Sequence, residues 1–222
     1  MKPIAIFHSP FKAKFGIPRQ AGVVSQLPGT IVLDKSCRSV DAVRGLEGFD
    51  YLWIIWQCHQ SDAMTVRPPR LGGNKHLGVF ATRSPFRPNP LGLSSMRIDH
   101  IDYDCNEAPV IHVLGADLMD GTAIYDIKPY IPYTDAHPEA KAGFTDAVEW
   151  QPLQVTFTAE AEQLLTDNSL KDILTQVLSQ DPRPHYHNDP ERIYGMEYAD
   201  MDVRFRVDGN MLYVVDIIKH KN

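Results

Sequence analysis

Several common signals are missing from this 222-residue chain, and each absence removes a class of protein. The cysteines are three (Cys37, Cys58 and Cys105), widely spaced and without a CxxC pair. That spacing argues against a disulfide framework and a thiolate zinc site, and makes a reducing compartment, the cytoplasm, the expectation. No apolar run approaches the roughly 20 residues that a membrane helix needs. Nothing at the start resembles a signal peptide, since the short apolar run Ile4 to Phe7 after Lys2 soon meets Pro10. GxGxxG and P-loop patterns are missing, so neither a Rossmann dinucleotide site nor a Walker site is indicated. No HExxH or cysteine cluster suggests a metal, and none is expected.

Acidic residues are also missing, locally. The net charge is −6, yet residues 1–135 hold 14 Lys+Arg against 13 Asp+Glu, whereas residues 136–222 hold 8 against 15. Between Ala63 and Ile98 there is no carboxylate, while Arg67, Arg70, Lys75, Arg83, Arg87 and Arg97 supply six positive charges. A local basic field of this kind receives a polyanion even in an acidic protein.

Inside that field lies Gly78 to Gly92, GVFATRSPFRPNPLG. Val79 to Ala81 reads as a short apolar strand that ends in Thr82-Arg83-Ser84. Ser84, Arg87 and Asn89 each precede a proline, which biases them towards extended backbone and makes the loop stiff. Its guanidiniums and carboxamide suit phosphate, carboxylate or base edges. A proline-rich turn with solvated arginines is the plainer alternative.

Strand patterns dominate the first 135 residues. Pro3–His8, Gly29–Leu33, Leu93–His100 and Val110–Leu114 read as strands, and Asp34–Gly45 as a short helix begun near Asp41. Phe49–Cys58 is the most apolar and aromatic run and reads as a fully buried strand ending in His59-Gln60. Thr65–Gly73 reads as a loop. Asp126 and Lys128, two apart, share one strand face, as a surface ion pair or as a ligand clamp. Asp120-Gly121 is a turn dipeptide. Later, Gln154–Thr158 is a strand and Ala159–Leu178 an amphipathic helical region with a break near Asn168-Ser169. Asp202–Phe205 and Met211–Ile217 flank the hairpin signal Asp208-Gly209-Asn210. The fold class is mainly β: a many-stranded first domain, residues 1–137, a linker, 138–152, and a small α+β domain, 153–222. These features lead to a polar loop site able to receive an anionic partner, and leave the reaction open.

The 78–92 stretch closely resembles the signature of the TsaA-like family, the TrmO-type tRNA methyltransferases. Supporting matches are IAIFHSPFKAKFGIPRQ, DAVRGLEGFDYLWIIWQCHQ and GADLMDGTAIYDIKPYIPY, with QDPRPHY and VRFRV in the tail. The resemblance runs in order through nearly the whole chain. It implies a β-barrel-like, non-Rossmann first domain that binds S-adenosylmethionine. It also implies methylation of the N6 nitrogen of threonylcarbamoyladenosine beside the anticodon, with threonine tRNA the expected substrate, and a homodimer with the cofactor near the subunit interface.

Carried onto this sequence, the resemblance implies cofactor contacts at Gln20, Ala21, Gly22, His59, Gln60, Arg83, Leu93, Ala116, Asp117, Leu118 and Met119. Gly22 would permit close backbone approach, Leu93 an apolar wall, and Arg83 a partner for the methionine carboxylate. Arg19, Arg67, Arg70, Arg87 and Asn89 are the expected RNA contacts. Asp120, Asp126, Lys128 and Tyr130 are the expected catalytic group, with Asp120 or Asp126 as proton acceptor. Arg87 or Lys128 could hold the threonyl carboxylate. One departure is the short segment Ser61-Asp62-Ala63-Met64, where relatives are expected to carry a longer loop. The competing readings are a non-catalytic RNA-binding module and a methyltransferase acting on another small substrate.

Overall fold

The computed structural model describes residues 1–58, 65–67, 75–147, 151–183 and 189–220. Two compact units share the chain without following its order. The first comprises Met1–Phe7, Thr30–Val113 and Thr122–Trp150; the second comprises His8–Gly29, Leu114–Gly121 and Gln151–Asn222.

The first unit is built on a barrel. Its strands are β1 (Ala5–His8), β2 (Pro28–Leu33) and β3 (Tyr51–Gln57), followed, after a short β4 (Thr65–Val66) and β5 (Leu77–Gly78), by β6 (Leu91–Asp102), β7 (Val110–Leu114) and β8 (Thr122–Pro129). They close in the order β1–β2–β7–β6–β3–β8, and closure removes the exposed edges that invite wrong pairing. Alternation sets the interior: Leu52, Ile54, Met96 and Ile124 are fully buried, while Tyr51, Leu91 and Leu93 of the same ladder face outward. The strand over residues 51–57 is therefore half-buried and alternating, where the composition of its run suggested burial on both faces. Trp53 and Ile55 account for the difference: they lie half-buried on the outward face, whereas Trp56 follows the inward parity of Leu52 and Ile54 and donates to the buried Ser94.

Other sequence expectations shift in detail. Val79–Ala81 is a 3-10 turn, not a strand, and Thr65–Val66, read as loop, forms β4, paired with β5. The short helix α1 (Val40–Val43) starts on Ser39, whose hydroxyl accepts from the Ala42 amide, two residues before the expected Asp41. A further short helix, α2 (Pro132–Asp135), follows β8.

In the second unit a sheet runs β10–β11–β12–β9, from β9 (Gln154–Phe157), β10 (Tyr194–Tyr198), β11 (Met201–Asp208) and β12 (Met211–Lys219). The hairpin at Gly209-Asn210 forms as its turn residues suggest, with Gly209 at φ +55°. The helical region divides into α3 (Ala159–Gln163) and α4 (Asn168–Ser179). The break is enforced by Asp167, whose carboxylate caps α4 by accepting from the Ser169 amide at 2.8 Å. Leu174, Val177 and Leu178 bury the inner face of α4.

Candidate functional site

In the second unit, two segments expected at the cofactor are joined. The Gly22 amide donates to the Gly115 carbonyl at 2.9 Å, which sets Gln20–Gly22 beside Gly115–Met119. Both glycines have left-handed backbone, φ +78° and +82°. Their requirements differ. A Cβ on Gly115 would lie 3.0 Å from the Gly22 Cα, whereas a Cβ on Gly22 would meet nothing within 4 Å. The close approach between the two segments thus belongs to Gly115, and Gly22 is needed for its φ. Gly22 is exposed, and the space beside it is open.

The 115–120 segment is clamped from the other side. Ser9 Oγ donates to the Leu118 carbonyl at 2.7 Å, the Asp120 amide donates to the Phe11 carbonyl at 2.8 Å, and the Ser9 amide donates to Asp120 Oδ1 at 3.2 Å. His8 Nδ1 lies 2.9 Å from the same carboxylate oxygen, with both side chains part-exposed. Asp120 is thus more than a turn residue: it ties the segment to the end of β1. His8 escaped the sequence reading, because nothing about a histidine at a strand end foretells a partner 112 residues away. Ala116 and Leu118 are buried.

The first unit gathers a second set. On the barrel exterior Ile55 sits between Leu93 and Asp126, and Trp53 between Ser95 and Lys128. Tyr130 continues this face, its amide donating to the Tyr51 carbonyl at 2.9 Å and its ring 5.6 Å from that of Trp53. Asp126, Lys128, Tyr130 and Leu93 therefore share one outward surface. Lys128 Nζ lies 2.8 Å from Asp126 Oδ2, with both side chains exposed, and the other carboxylate oxygen accepts from the Ile127 amide at 3.0 Å. As a bare ion pair this contributes under about 1 kcal/mol.

The proline-rich loop is braced by its own arginine. Arg87 Nη1 donates to the Thr82 carbonyl at 3.2 Å, and the Leu91 amide donates to the Asn89 carbonyl at 2.7 Å. Arg83 and Asn89 are exposed, Arg87 half-buried. Of the remaining arginines of the basic field, Arg67 donates through Nε to His76 Nε2 at 2.7 Å. Arg19 is exposed in the second unit. His59, Gln60 and Arg70 lie outside the described residues.

A closed barrel that carries its polar groups on loops and on its outer face defines a class of ligand-binding barrel distinct from the wound nucleotide folds. The chain belongs to the TrmO family: residues 6–136 match the tRNA-methyltransferase O N-terminal domain and residues 150–220 the TrmO C-terminal domain. It is 44% identical over 216 residues to the tRNA (adenine(37)-N6)-methyltransferase of Escherichia coli, covering 92% of this chain and 91% of that protein. It is 38% identical, over 98% of this chain and 96% of the relative, to a putative S-adenosylmethionine-dependent methyltransferase of Pseudomonas aeruginosa. Among solved structures, a crystal structure of TrmO superposes with a TM-score of 0.80 at 32% identity, covering 97% of this chain and 96% of that one.

Proposed function

We propose that this protein is an S-adenosylmethionine-dependent tRNA methyltransferase acting on the N6 nitrogen of threonylcarbamoyladenosine beside the anticodon, in threonine tRNA, in the cytoplasm. The observation that carries the reading is the likeness to the Escherichia coli enzyme, which spans more than nine-tenths of both chains and so includes both domains. Residues 1–137 are the cofactor domain and 153–222 the small α+β domain, joined by 138–152.

The cofactor contacts we assign in the second unit are Gln20, Ala21, Gly22 and Ala116 to Met119, supported by the glycine-joined pair of segments. The other contacts we propose, His59, Gln60, Arg83 and Leu93, rest on the sequence. When bound, S-adenosylmethionine supplies a methyl group on a positively charged sulfur. The protein's own task is then to hold the acceptor nitrogen in line, exclude water and accept its proton. Asp126 offers a carboxylate for the proton, or Asp120 does with His8 fixing its orientation. Lys128 and Arg87 offer cationic handles for the threonyl carboxylate, while Asn89 and Tyr130 position the base. Arg19, Arg67 and Arg70 hold phosphates.

We also propose a homodimer. Leu93 is 53% and Phe80 80% exposed, and Phe86 and Leu91 are exposed beside them in sequence. Exposed apolar residues concentrated in one segment mark an association surface. Light scattering should give twice the chain mass, and Leu93→Glu should give the monomer; a wild-type monomer would refute the assembly. Calorimetry tests the cofactor: saturable one-to-one binding of S-adenosylmethionine is expected, and no heat of binding would leave only an RNA-binding module.

A further inference from the structure

The second unit carries a cleft that neither cofactor nor acceptor contacts account for. Its volume is about 460 Å³, within the range that accepts a small organic ligand. One wall is the 14–19 segment, with Lys14, Phe15 and Arg19; the other is the end of α4 and the turn after it, with Gln180, Asp181 and Pro182.

Charge distinguishes this cleft from its surroundings. Residues 1–33 contain four Lys+Arg and no Asp or Glu, whereas residues 151–222 hold 7 Lys+Arg against 12 Asp+Glu. The cleft's own carboxylate is already neutralised: Arg183 Nε donates to both oxygens of Asp181, at 2.9 and 3.2 Å, and both side chains are largely buried. Asp181 ends α4 in left-handed backbone, φ +51°, a place where glycine is usual. A carboxylate there anchors Arg183, which no glycine would do. Lys14 makes no ion pair among the described residues and is exposed at the cleft. The result is a net positive mouth over an apolar floor, where Phe15 is stacked on Phe205 at 6.3 Å between centroids and 14° between planes. Phe15 is itself half-buried and lines the cleft.

Cations at the rim, an aromatic ring and an amide side chain are the combination that takes a nucleotide of single-stranded RNA: phosphate on the cations, base on the ring, base edge on the amide. We propose that this cleft is a second RNA subsite, holding a nucleotide of the substrate tRNA other than the methylated adenosine. Lys14 and Arg19 take its phosphate, Phe15 and Pro182 flank its base, and Gln180 faces its edge. This rests on the tRNA methyltransferase reading above. It assigns the acidic α+β unit a direct part in recognition, through this cleft.

The test is steady-state methylation of full-length tRNA by wild type, Lys14→Glu, Lys14→Arg and Gln180→Ala at several salt concentrations. Lys14→Glu should raise KM for tRNA about tenfold, and lower the slope of log affinity against log salt by about one. Lys14→Arg should restore both, and S-adenosylmethionine affinity should be unchanged throughout. Photocrosslinking with thiouridine-substituted tRNA should label the 14–19 segment in the unmodified enzyme, which guards against variants that misfold. Wild-type KM and salt slope in Lys14→Glu, with no crosslink, would overturn the subsite. So would a loss confined to S-adenosylmethionine affinity, which would make the cleft part of the cofactor site, or a loss confined to dimer mass, which would make it an interface. Failure of the wild type to methylate any tRNA would instead refute the function itself.

Discussion

Gly115 concentrates two separate demands in one position: a left-handed φ of +82° and an approach that leaves 3.0 Å between an added Cβ and the Gly22 backbone. Backbone atoms cannot swing aside as a side chain can. Gly115→Ala should therefore cost about 1–3 kcal/mol of stability and weaken S-adenosylmethionine binding, read by thermal melting and calorimetry. Gly22→Ala, which meets only the φ penalty, should cost less. Equal losses would contradict the division of roles between the two glycines. Arg83 makes a different case. If it holds the methionine carboxylate, Arg83→Ala removes a charge-assisted hydrogen bond and should weaken cofactor binding about tenfold or more. Undiminished affinity would remove Arg83 from the site. The motif nominates such residues, but it does not name their partners. Asp120 read as turn chemistry because His8 and Ser9 lie far away in sequence, and only the fold brings their donors to its carboxylate.

At the scale of elements, sequence periodicity located nearly every barrel strand and missed mainly where local chemistry overruled composition. The 51–57 strand looked buried on both faces because indole rings count as apolar. Yet Trp53 uses its polar edge, donating through Nε1 to Asp135 Oδ2 at 2.9 Å, and the Ile131 amide donates to the same oxygen at 2.9 Å. That carboxylate fastens α2 to β3. The two hydrogen bonds, the backbone one first, hold the Asp135 carboxyl below its usual range. A depressed folded-state value means that the unfolded chain takes up the proton first. The stabilisation is thus complete above the ordinary carboxylate pKa near 4 and is lost as pH falls through the lower folded-state value. Asp135→Ala should flatten the acid limb of the stability curve in that window, measured by denaturant melts from pH 6 to pH 2. An acid limb superimposable on the wild type would contradict the clasp. β10 escaped sequence analysis although Tyr194, Met196 and Tyr198 alternate into the core, because Gly195 interrupts the pattern. A side chain at that glycine would meet only the end of the Asp202 side chain, at 2.8 Å, which turns aside at little cost.

For the whole molecule, the unequal distribution of charge is the property that sequence conveyed best. A basic field without carboxylates from Ala63 to Ile98 and an acidic last third are both visible before any fold is known. Which segments pack together was not visible: the 8–29 and 114–121 segments join the C-terminal part in one compact unit although they are far from it along the chain. That regrouping gives the acidic unit its basic segment. The central claim, that the chain methylates threonylcarbamoyladenosine in tRNA, is tested most directly by nucleoside mass spectrometry of tRNA from a strain lacking the gene and from the same strain carrying it on a plasmid. The methylated nucleoside should vanish from the first, leaving unmethylated threonylcarbamoyladenosine, and return in the second. Its persistence in the deletion strain at wild-type abundance would contradict the account.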